Sequence, residues 1–230
     1  MMQIDRPSPN RDSRGDATID MLVLHFTGMQ SGEAALARMC DPAAKVSAHY
    51  AIDEDGTVYA MVPEEARAWH AGVSYWAGAR DINARSIGIE LVNPGHEFGY
   101  RAFPAGQIVS LVGLATAILA RRPIPPWRVV GHSDVAPMRK EDPGELFPWK
   151  QLAAEGIGLW PVRGDDPGEA RVTELLERYG YDPGVPVGKN LTAFQRHFRP
   201  TRVDGMADAE TRALLAGLVA LYDAEKGNAQ

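Results

Sequence analysis

The alternation of apolar and polar residues along the chain predicts a sheet of short β-strands. Residues 19–26 and 129–130 contain continuous apolar runs, which are typical of buried strands. Residues 46–52 and 57–62 flank an Asp-Glu-Asp-Gly turn, so we expect them to form a β-hairpin. Residues 86–92 alternate with a period of two, which indicates a strand with one apolar face.

Helical spacing of apolar residues predicts two helices among these strands and three more near the C-terminus. Ser31 precedes the helical run 33–39, and the pattern over 108–119 ends at a group of prolines. Three shorter amphipathic patterns follow, which we expect to form a small three-helix bundle. Their apolar stripes are Val172, Leu175, Leu176 and Tyr179; Leu191, Phe194 and Phe198; and Thr211, Leu214, Leu215 and Leu218, with Asp208 as an N-cap.

The patterns of strands, helices and turns predict an α/β (α+β) chain in two parts. Residues 1–162 contain all of the expected strands and form the first domain. The segment 163–170 is polar and rich in turn residues, so we expect a linker there. Residues 171–226 form the second, helical domain.

The composition indicates a globular protein and excludes several classes of function. The chain has 230 residues, of which 45% are hydrophobic and 23% charged. Its net charge of -6 argues against nucleic-acid binding and against a basic membrane patch. The single cysteine, Cys40, excludes an internal disulfide. No stretch is apolar for long enough to cross a bilayer and the N-terminus has no apolar leader, so we expect a cytoplasmic protein without a membrane span.

Candidate chemistry gathers in the segment 131–144, where His132 follows a predicted strand and Asp142 lies beside a Pro-Gly turn. His25 lies at the end of another predicted strand. Catalytic zinc sites commonly use three protein ligands and leave a fourth position for water, and these three residues fit that need. Glu90 is then a candidate general base, and Lys140 is a candidate for stabilising an oxyanion.

Each of these residues also has a purely structural interpretation. A single histidine at a strand end is commonly a hydrogen-bonded core residue. Asp134 is an alternative metal ligand, although capping of the loop backbone explains it better. Glu90 is alternatively a structural partner of Arg85, and Lys140 is alternatively part of a solvated charge run. Two further histidines are expected to lie away from this site: His96 and His197.

Five ordered motifs resemble the type-2 N-acetylmuramoyl-L-alanine amidases, the family of the AmpD-like and AmiD-like enzymes. The motifs are LHFTG at 24–28, VSAHY at 46–50, AWHAG at 68–72, SIGIEL at 86–91 and GHSDVAP at 131–137, and the match ends in RKEDPG at 139–144. The resemblance extends over roughly residues 20–160. It implies a mixed central sheet flanked by helices, with zinc in a groove on one side.

The resemblance also assigns roles to individual residues. It implies metal ligands at His25, His132 and Asp142, an acid/base carboxylate at Glu90 and a cation beside the reacting carbonyl at Lys140. It places Trp69 and His70 along the substrate groove, and Lys45 where a basic residue meets the carboxylates of the peptide. The loop-like segment 63–85 adds Arg85 as a further substrate contact.

The function implied is zinc-dependent hydrolysis of the amide between N-acetylmuramic acid and L-alanine. We expect soluble muropeptides as substrates, in the 1,6-anhydro form met during cell-wall recycling. Two alternatives stay open: an exported amidase acting on intact peptidoglycan, and a non-catalytic muropeptide-binding sensor. The helical region 171–226 resembles a peptidoglycan-binding module, which either binds glycan or braces the groove.

Overall fold

The computed structural model describes residues 3–228, which fold into a mixed sheet with helices on both faces. The strands are β1 (Gln3–Asp5), β2 (Arg11–Ser13), β3 (Met21–Phe26), β4 (Tyr50–Ile52), β5 (Val58–Ala60), β6 (Ala66–Ala68), β7 (Ser86–Leu91) and β8 (Val129–Gly131). The helices are α1 (Gly32–Cys40), α2 (Ile82–Arg85), α3 (Gly95–Phe98), α4 (Ala105–Arg121), α5 (His132–Val135), α6 (Trp149–Ala154), α7 (Val172–Tyr179), α8 (Val187–Phe198) and α9 (Ala209–Asn228). Among the helices within these described residues, none is long and apolar enough to cross a membrane.

Six strands form the main sheet, in the order β1-β5-β4-β7-β3-β8. β4 and β5 pair antiparallel as the expected hairpin, and Gly56 between them adopts a positive φ of 87° that favours glycine. The central strands β4, β7, β3 and β8 are parallel to one another, so their carboxyl ends meet at one edge of the sheet. The expected mixed central sheet is confirmed.

The two faces of the sheet are covered by different helices. Leu22, Leu24 and the apolar residues of β7 pack against the buried side of α4. On the opposite face, Met21 and Val23 belong to a core cluster that also contains residues of the three C-terminal helices, such as Phe194 and Leu215. Because side chains alternate along a strand, His25 lies on the same face as Met21 and Val23, next to the C-terminal helices.

The region after residue 160 forms the three expected helices, α7, α8 and α9. The Asp208 carboxylate accepts a hydrogen bond from the Thr211 amide at 2.9 Å, as expected for an N-cap. The segment 163–170 packs onto α9: the Gly164 amide donates to the Ala213 carbonyl, and Arg212 pairs with Asp166. The division of the chain into two domains stays a prediction, because these helices share their core with the sheet.

Three details differ from the expectations. β4 begins at Tyr50, so His49 precedes the strand instead of lying within it. The segment 63–85 contains β6 and α2 as well as loops. The polar N-terminal segment forms two strands, β1 at the sheet edge and β2 paired with β6. No apolar pattern in the sequence predicts them.

Candidate metal centre and substrate groove

The side chains of His25, His132 and Asp142 meet at the carboxyl ends of β3 and β8. The Nδ1 atoms of the two imidazoles are 2.9 Å apart, and Asp142 Oδ2 lies 3.0 Å from each of them. All three residues are buried. The structure therefore brings together, in a nearly equilateral triangle, three ligand atoms that are up to 117 positions apart in the chain.

The chemistry of this triangle suits a cation. His132 Nε2 lies 3.0 Å from the Ala71 carbonyl oxygen, which can only accept, so this nitrogen carries the proton and Nδ1 presents a lone pair. The Asp142 carboxylate also offers only lone pairs. Two imidazole nitrogens and one carboxylate oxygen are a common donor set for zinc. The three residues present therefore fit a zinc ion.

Electrostatics favour the forms of His25 and Asp142 that can bind a metal. Burial and, to a smaller extent, the neighbouring His132 lower the pKa of His25 to about 4. Burial acts to raise the pKa of Asp142, but the two imidazoles outweigh it and hold that pKa well below its usual range. Metal binding requires neutral imidazoles and an ionised carboxylate, and the shifts of His25 and Asp142 favour these forms.

Glu90 lies beside this cluster on the neighbouring strand. It pairs with His25 in the parallel register of β7 and β3, so both side chains extend from the same face. Its Oε2 is buried and has no hydrogen-bond partner within residues 3–228. Burial raises the pKa of Glu90 well above its usual range, the Asp142 charge adds to this, and Lys140 opposes it. A carboxyl group in this environment is suited to exchanging a proton near neutral pH.

The cluster opens into a groove with a volume of about 620 Å³. Glu90, Lys140 and Asp142 line it, together with His70 and His132. A smaller cavity of about 340 Å³ adjoins it, and Glu90 and the α1 residue Arg38 line both. Residues that line both cavities are Thr27, Gly28, Arg38, Val46 and Glu90.

The four expected substrate-binding residues lie in different places. His70 lines the groove, whereas Trp69 is half-buried and lines neither cavity. Lys45 is exposed, next to the groove residue Val46. Arg85 lines neither cavity and does not pair with Glu90, and its assignment as a substrate contact stays a prediction. It precedes β7, at the opposite end from Glu90, and pairs there with Asp20.

Two histidines expected to lie away from the site are close to it. His96 lines the groove and pairs with Glu141 and Glu145. His197 Nδ1 lies 2.7 Å from Asp134 Oδ2, an atom that also accepts from the Gly131 amide at 2.7 Å. The capping role expected for Asp134 is thus observed.

The contribution of α8 to the groove does not follow from the sequence. Lys189, Thr192 and Arg196 line it from the C-terminal helical region, next to the loop 136–145 that carries the ligand Asp142. Arg196 is buried, and its guanidinium is 3.7 and 3.8 Å from Glu145 and Glu141. Nothing in the local pattern of α8 indicates this position, because the wall forms only when the helix packs against the sheet.

A mixed sheet that carries a buried imidazole–imidazole–carboxylate cluster beside a buried carboxyl group with a raised pKa is typical of a hydrolase. Residues 15–145 match the family model Amidase_2: N-acetylmuramoyl-L-alanine amidase. The protein N-acetylmuramoyl-L-alanine amidase AmiD of Escherichia coli (strain K12) is 41% identical, over 89% of this chain and 83% of AmiD. The chain belongs to the N-acetylmuramoyl-L-alanine amidase family.

Solved structures agree with this assignment. The complex of AmiD from E. coli with the substrate anhydro-N-acetylmuramic acid-L-Ala-D-gamma-Glu-L-Lys has a TM-score of 0.79 to this chain at 39% identity, covering 90% of this chain and 92% of that chain. AmpDh3 from Pseudomonas aeruginosa, in complex with anhydromuramic pentapeptide, has a TM-score of 0.80 at 36% identity, covering 89% and 92%. The similarity includes most of the chain, and so extends beyond the sheet into the C-terminal helices.

Proposed function

We propose that this enzyme is a zinc-dependent amidase that hydrolyses the bond between 1,6-anhydro-N-acetylmuramic acid and L-alanine in muropeptides. The observation that carries the proposal is the convergence of His25, His132 and Asp142 beside Glu90 in one groove. The two relatives solved with anhydromuramyl peptides support the class of substrate. A non-catalytic sensor would not need the complete donor set or the acid/base carboxyl group.

The three ligands hold the metal in this proposal. When bound, zinc supplies Lewis acidity, which polarises a carbonyl group and lowers the pKa of a water molecule. His25 and His132 contribute neutral nitrogens, and Asp142 contributes the negative charge. All three are buried, and the Ala71 carbonyl oxygen accepts from His132 Nε2, which fixes the orientation of that ring.

Glu90 acts as the acid/base group. It accepts a proton from the attacking water as the new carbon–oxygen bond forms, and it donates that proton to the amide nitrogen as the carbon–nitrogen bond breaks. The products are a free carboxyl group on the muramic acid and a free amine on L-alanine. The raised pKa of Glu90 suits both steps, because the carboxyl group must be able to hold the proton between them.

Lys140 stabilises the negative charge that develops on the carbonyl oxygen. It lines the groove two residues before Asp142, so the ligand loop places its ammonium group on the side of the cluster that faces substrate. A fixed cation in a site shielded from water lowers the energy of the oxyanion more than it would in solution.

The walls of the groove suit an anionic peptide. Arg38 on α1 and Lys189 on α8 line it from two sides, and Lys45 lies next to it. The stem peptide of a muropeptide carries carboxylates, which these cations attract. We propose that the C-terminal helices contribute to binding through this wall, in addition to bracing the sheet.

The experiment that tests the proposal compares two substrates and follows the products by mass spectrometry. Soluble anhydro-muropeptides should be cleaved to the anhydro sugar and a free peptide, chelation should abolish turnover, and zinc should restore it. Turnover restricted to intact sacculi would favour the alternative of a wall-remodelling amidase. The cytoplasmic location stays a prediction, which fractionation of cells that express the native gene would test.

A further inference from the structure

Two neighbouring residues, His70 and Ala71, supply hydrogen-bond acceptors to both imidazoles of the cluster. His25 Nε2 lies 3.0 Å from His70 Nδ1, and His132 Nε2 lies 3.0 Å from the Ala71 carbonyl oxygen. In His25 and in His132, the ring nitrogen that faces away from Asp142 therefore forms a hydrogen bond with this dipeptide. His70 itself is 5% exposed, so most of its surface lies behind the metal centre instead of in the groove.

The contact between His70 and the Ser86 hydroxyl determines the direction of both hydrogen bonds that the His70 ring makes. The Ser86 hydroxyl donates to the Ile82 carbonyl at 2.6 Å, so its oxygen is left to accept from His70 Nε2 at 3.2 Å. With its proton on Nε2, the neutral His70 ring has an acceptor at Nδ1. His25 Nε2 must then donate to that atom, which leaves His25 Nδ1 unprotonated towards His132 and Asp142.

The surroundings of His70 suit the neutral ring on which this direction depends. The ring is almost fully buried, and its side-chain hydrogen-bond partners within residues 3–228 are the His25 ring and the Ser86 hydroxyl, neither of which is an anion. A buried cation without a negatively charged partner is costly, so the ring is neutral. A protonated His70 would present a proton at Nδ1 and could not accept from His25.

Two further residues hold the dipeptide in place. The Asn83 side-chain oxygen accepts from the amides of His70 and Ala71, at 3.1 and 2.7 Å. The His70 ring lies directly over Gly88 of β7, where any added Cβ would overlap it. The structure therefore fixes both the backbone and the ring of His70.

We propose that His70 is a positioning residue that holds His25 in the tautomer needed for metal binding, with Asn83 holding the segment that serves both imidazoles. This inference rests on the proposed function, since it takes His25 and His132 as metal ligands. It assigns to His70 a role beyond lining the groove, because His70 acts on the metal centre through His25. Such second partners of a metal-binding histidine typically change metal affinity by about 10–100-fold.

The test measures zinc affinity by competition with a chromophoric chelator at neutral pH. We expect His70→Ala to weaken zinc binding about 10–100-fold, and His70→Gln, whose side-chain oxygen can accept from His25, to recover part of the loss. The matched control is His49→Ala, which removes another buried histidine that contacts the His70 ring but not His25. It should lower the unfolding temperature and leave zinc affinity within about twofold of the wild type.

Imidazole ¹H–¹⁵N spectra of the zinc-loaded wild type test the same idea without any substitution. The proposal requires protons on Nε2 of both His25 and His70 and none on Nδ1 of His70. A proton on His70 Nδ1, or zinc binding by His70→Ala as tight as that of the wild type, would overturn the inference and leave the proposed amidase intact. Failure of the wild type itself to bind zinc would overturn both.

Discussion

His25 and Glu90 are directly paired in the register of two parallel strands, and both side chains extend from the face that carries the groove. This pairing sets the proposed metal ligand and the proposed acid/base carboxyl group side by side on two strands, at positions 65 residues apart in sequence. We therefore expect their roles to be separable by mutation. Glu90→Gln should lower turnover by about 10²–10⁴-fold, because it removes the proton carrier.

Zinc content provides the control for Glu90→Gln. The substitution preserves the shape of the side chain and removes a group that makes no hydrogen bond through Oε2 within residues 3–228. Zinc stoichiometry measured by atomic absorption should equal that of the wild type. Near-normal turnover in this variant would show that the proton follows another route.

Lys140→Met should lower kcat by about 10²–10³-fold with little change in bound zinc, because the cation acts on the developing oxyanion and not on the metal. Steady-state kinetics on an anhydro-muropeptide would measure this. Lys150→Met removes an exposed lysine of α6 that does not line the groove, and it is the matched control. An equal loss in both variants would point to an effect of net charge instead.

Asp142→Ala should weaken zinc binding by much more than it destabilises the metal-free fold. It removes the only negative charge from the ligand triangle and leaves two imidazole lone pairs facing each other. Equilibrium dialysis against buffered zinc would measure the change. Zinc retention equal to that of the wild type would contradict the assignment of His132 and Asp142 to the metal and Lys140 to the substrate.

The free energy of unfolding should decrease as the pH is lowered below about 6.5, in part because of His49. Its Nδ1 accepts from the Gly88 amide at 2.9 Å, and burial lowers its pKa to about 3. The unfolded chain, with a pKa near 6.5, therefore binds more protons between these two values, so the free energy of unfolding decreases as the pH falls through that range. At pH 5 the loss from one such histidine is about 2 kcal/mol relative to neutral pH.

Denaturant unfolding at pH 7 and pH 5, with the same zinc concentration, would measure the contribution of His49. His49→Gln removes the titrating group, so the difference in stability between the two pH values should shrink by about 2 kcal/mol. Zinc release at low pH affects both proteins and cancels in the comparison. An unchanged pH dependence in the variant would mean that His49 is not held neutral in the folded protein.

Tyr181→Phe should lower the free energy of unfolding by about 1–2 kcal/mol. The Tyr181 hydroxyl donates to Asp134 Oδ1 at 2.8 Å, and both residues are buried, so the substitution leaves a buried carboxylate with one fewer donor. Tyr75→Phe is the control, since its hydroxyl makes no hydrogen bond within the described part of the chain. Equal effects on chemical denaturation would show that the Tyr181–Asp134 bond contributes nothing specific.

The sequence predicts most elements of the fold because their apolar patterns are strong. β3, β7 and α4 follow directly from their periodicity. β1 and β2 could not be predicted in the same way, since their residues are exposed on both faces and carry no apolar period. Sheet edges formed by polar residues depend on partners that are distant in sequence.

The candidate site is only partly predictable for the same reason. The motifs indicate His25, His132 and Asp142, but the distances that make them a triangle depend on the neighbouring positions of β3 and β8. His70 lies next to His25, and Lys189 lines the groove from α8. Both positions depend on packing between segments that are far apart in the sequence. Arg85 directly precedes the motif at 86–91, yet it lies at the other end of β7 from Glu90. Closeness to a motif in sequence therefore does not predict closeness to the site.

The C-terminal helices share one hydrophobic core with β3 and β8. This shared core determines how the protein unfolds. Removing α7–α9 would expose the sheet residues Met21, Val23 and Val130, and the helices alone would lose these residues as packing partners. Both parts should therefore melt in a single cooperative transition, with one calorimetric peak. A protease that cuts within 163–168 should nick the chain and release neither fragment.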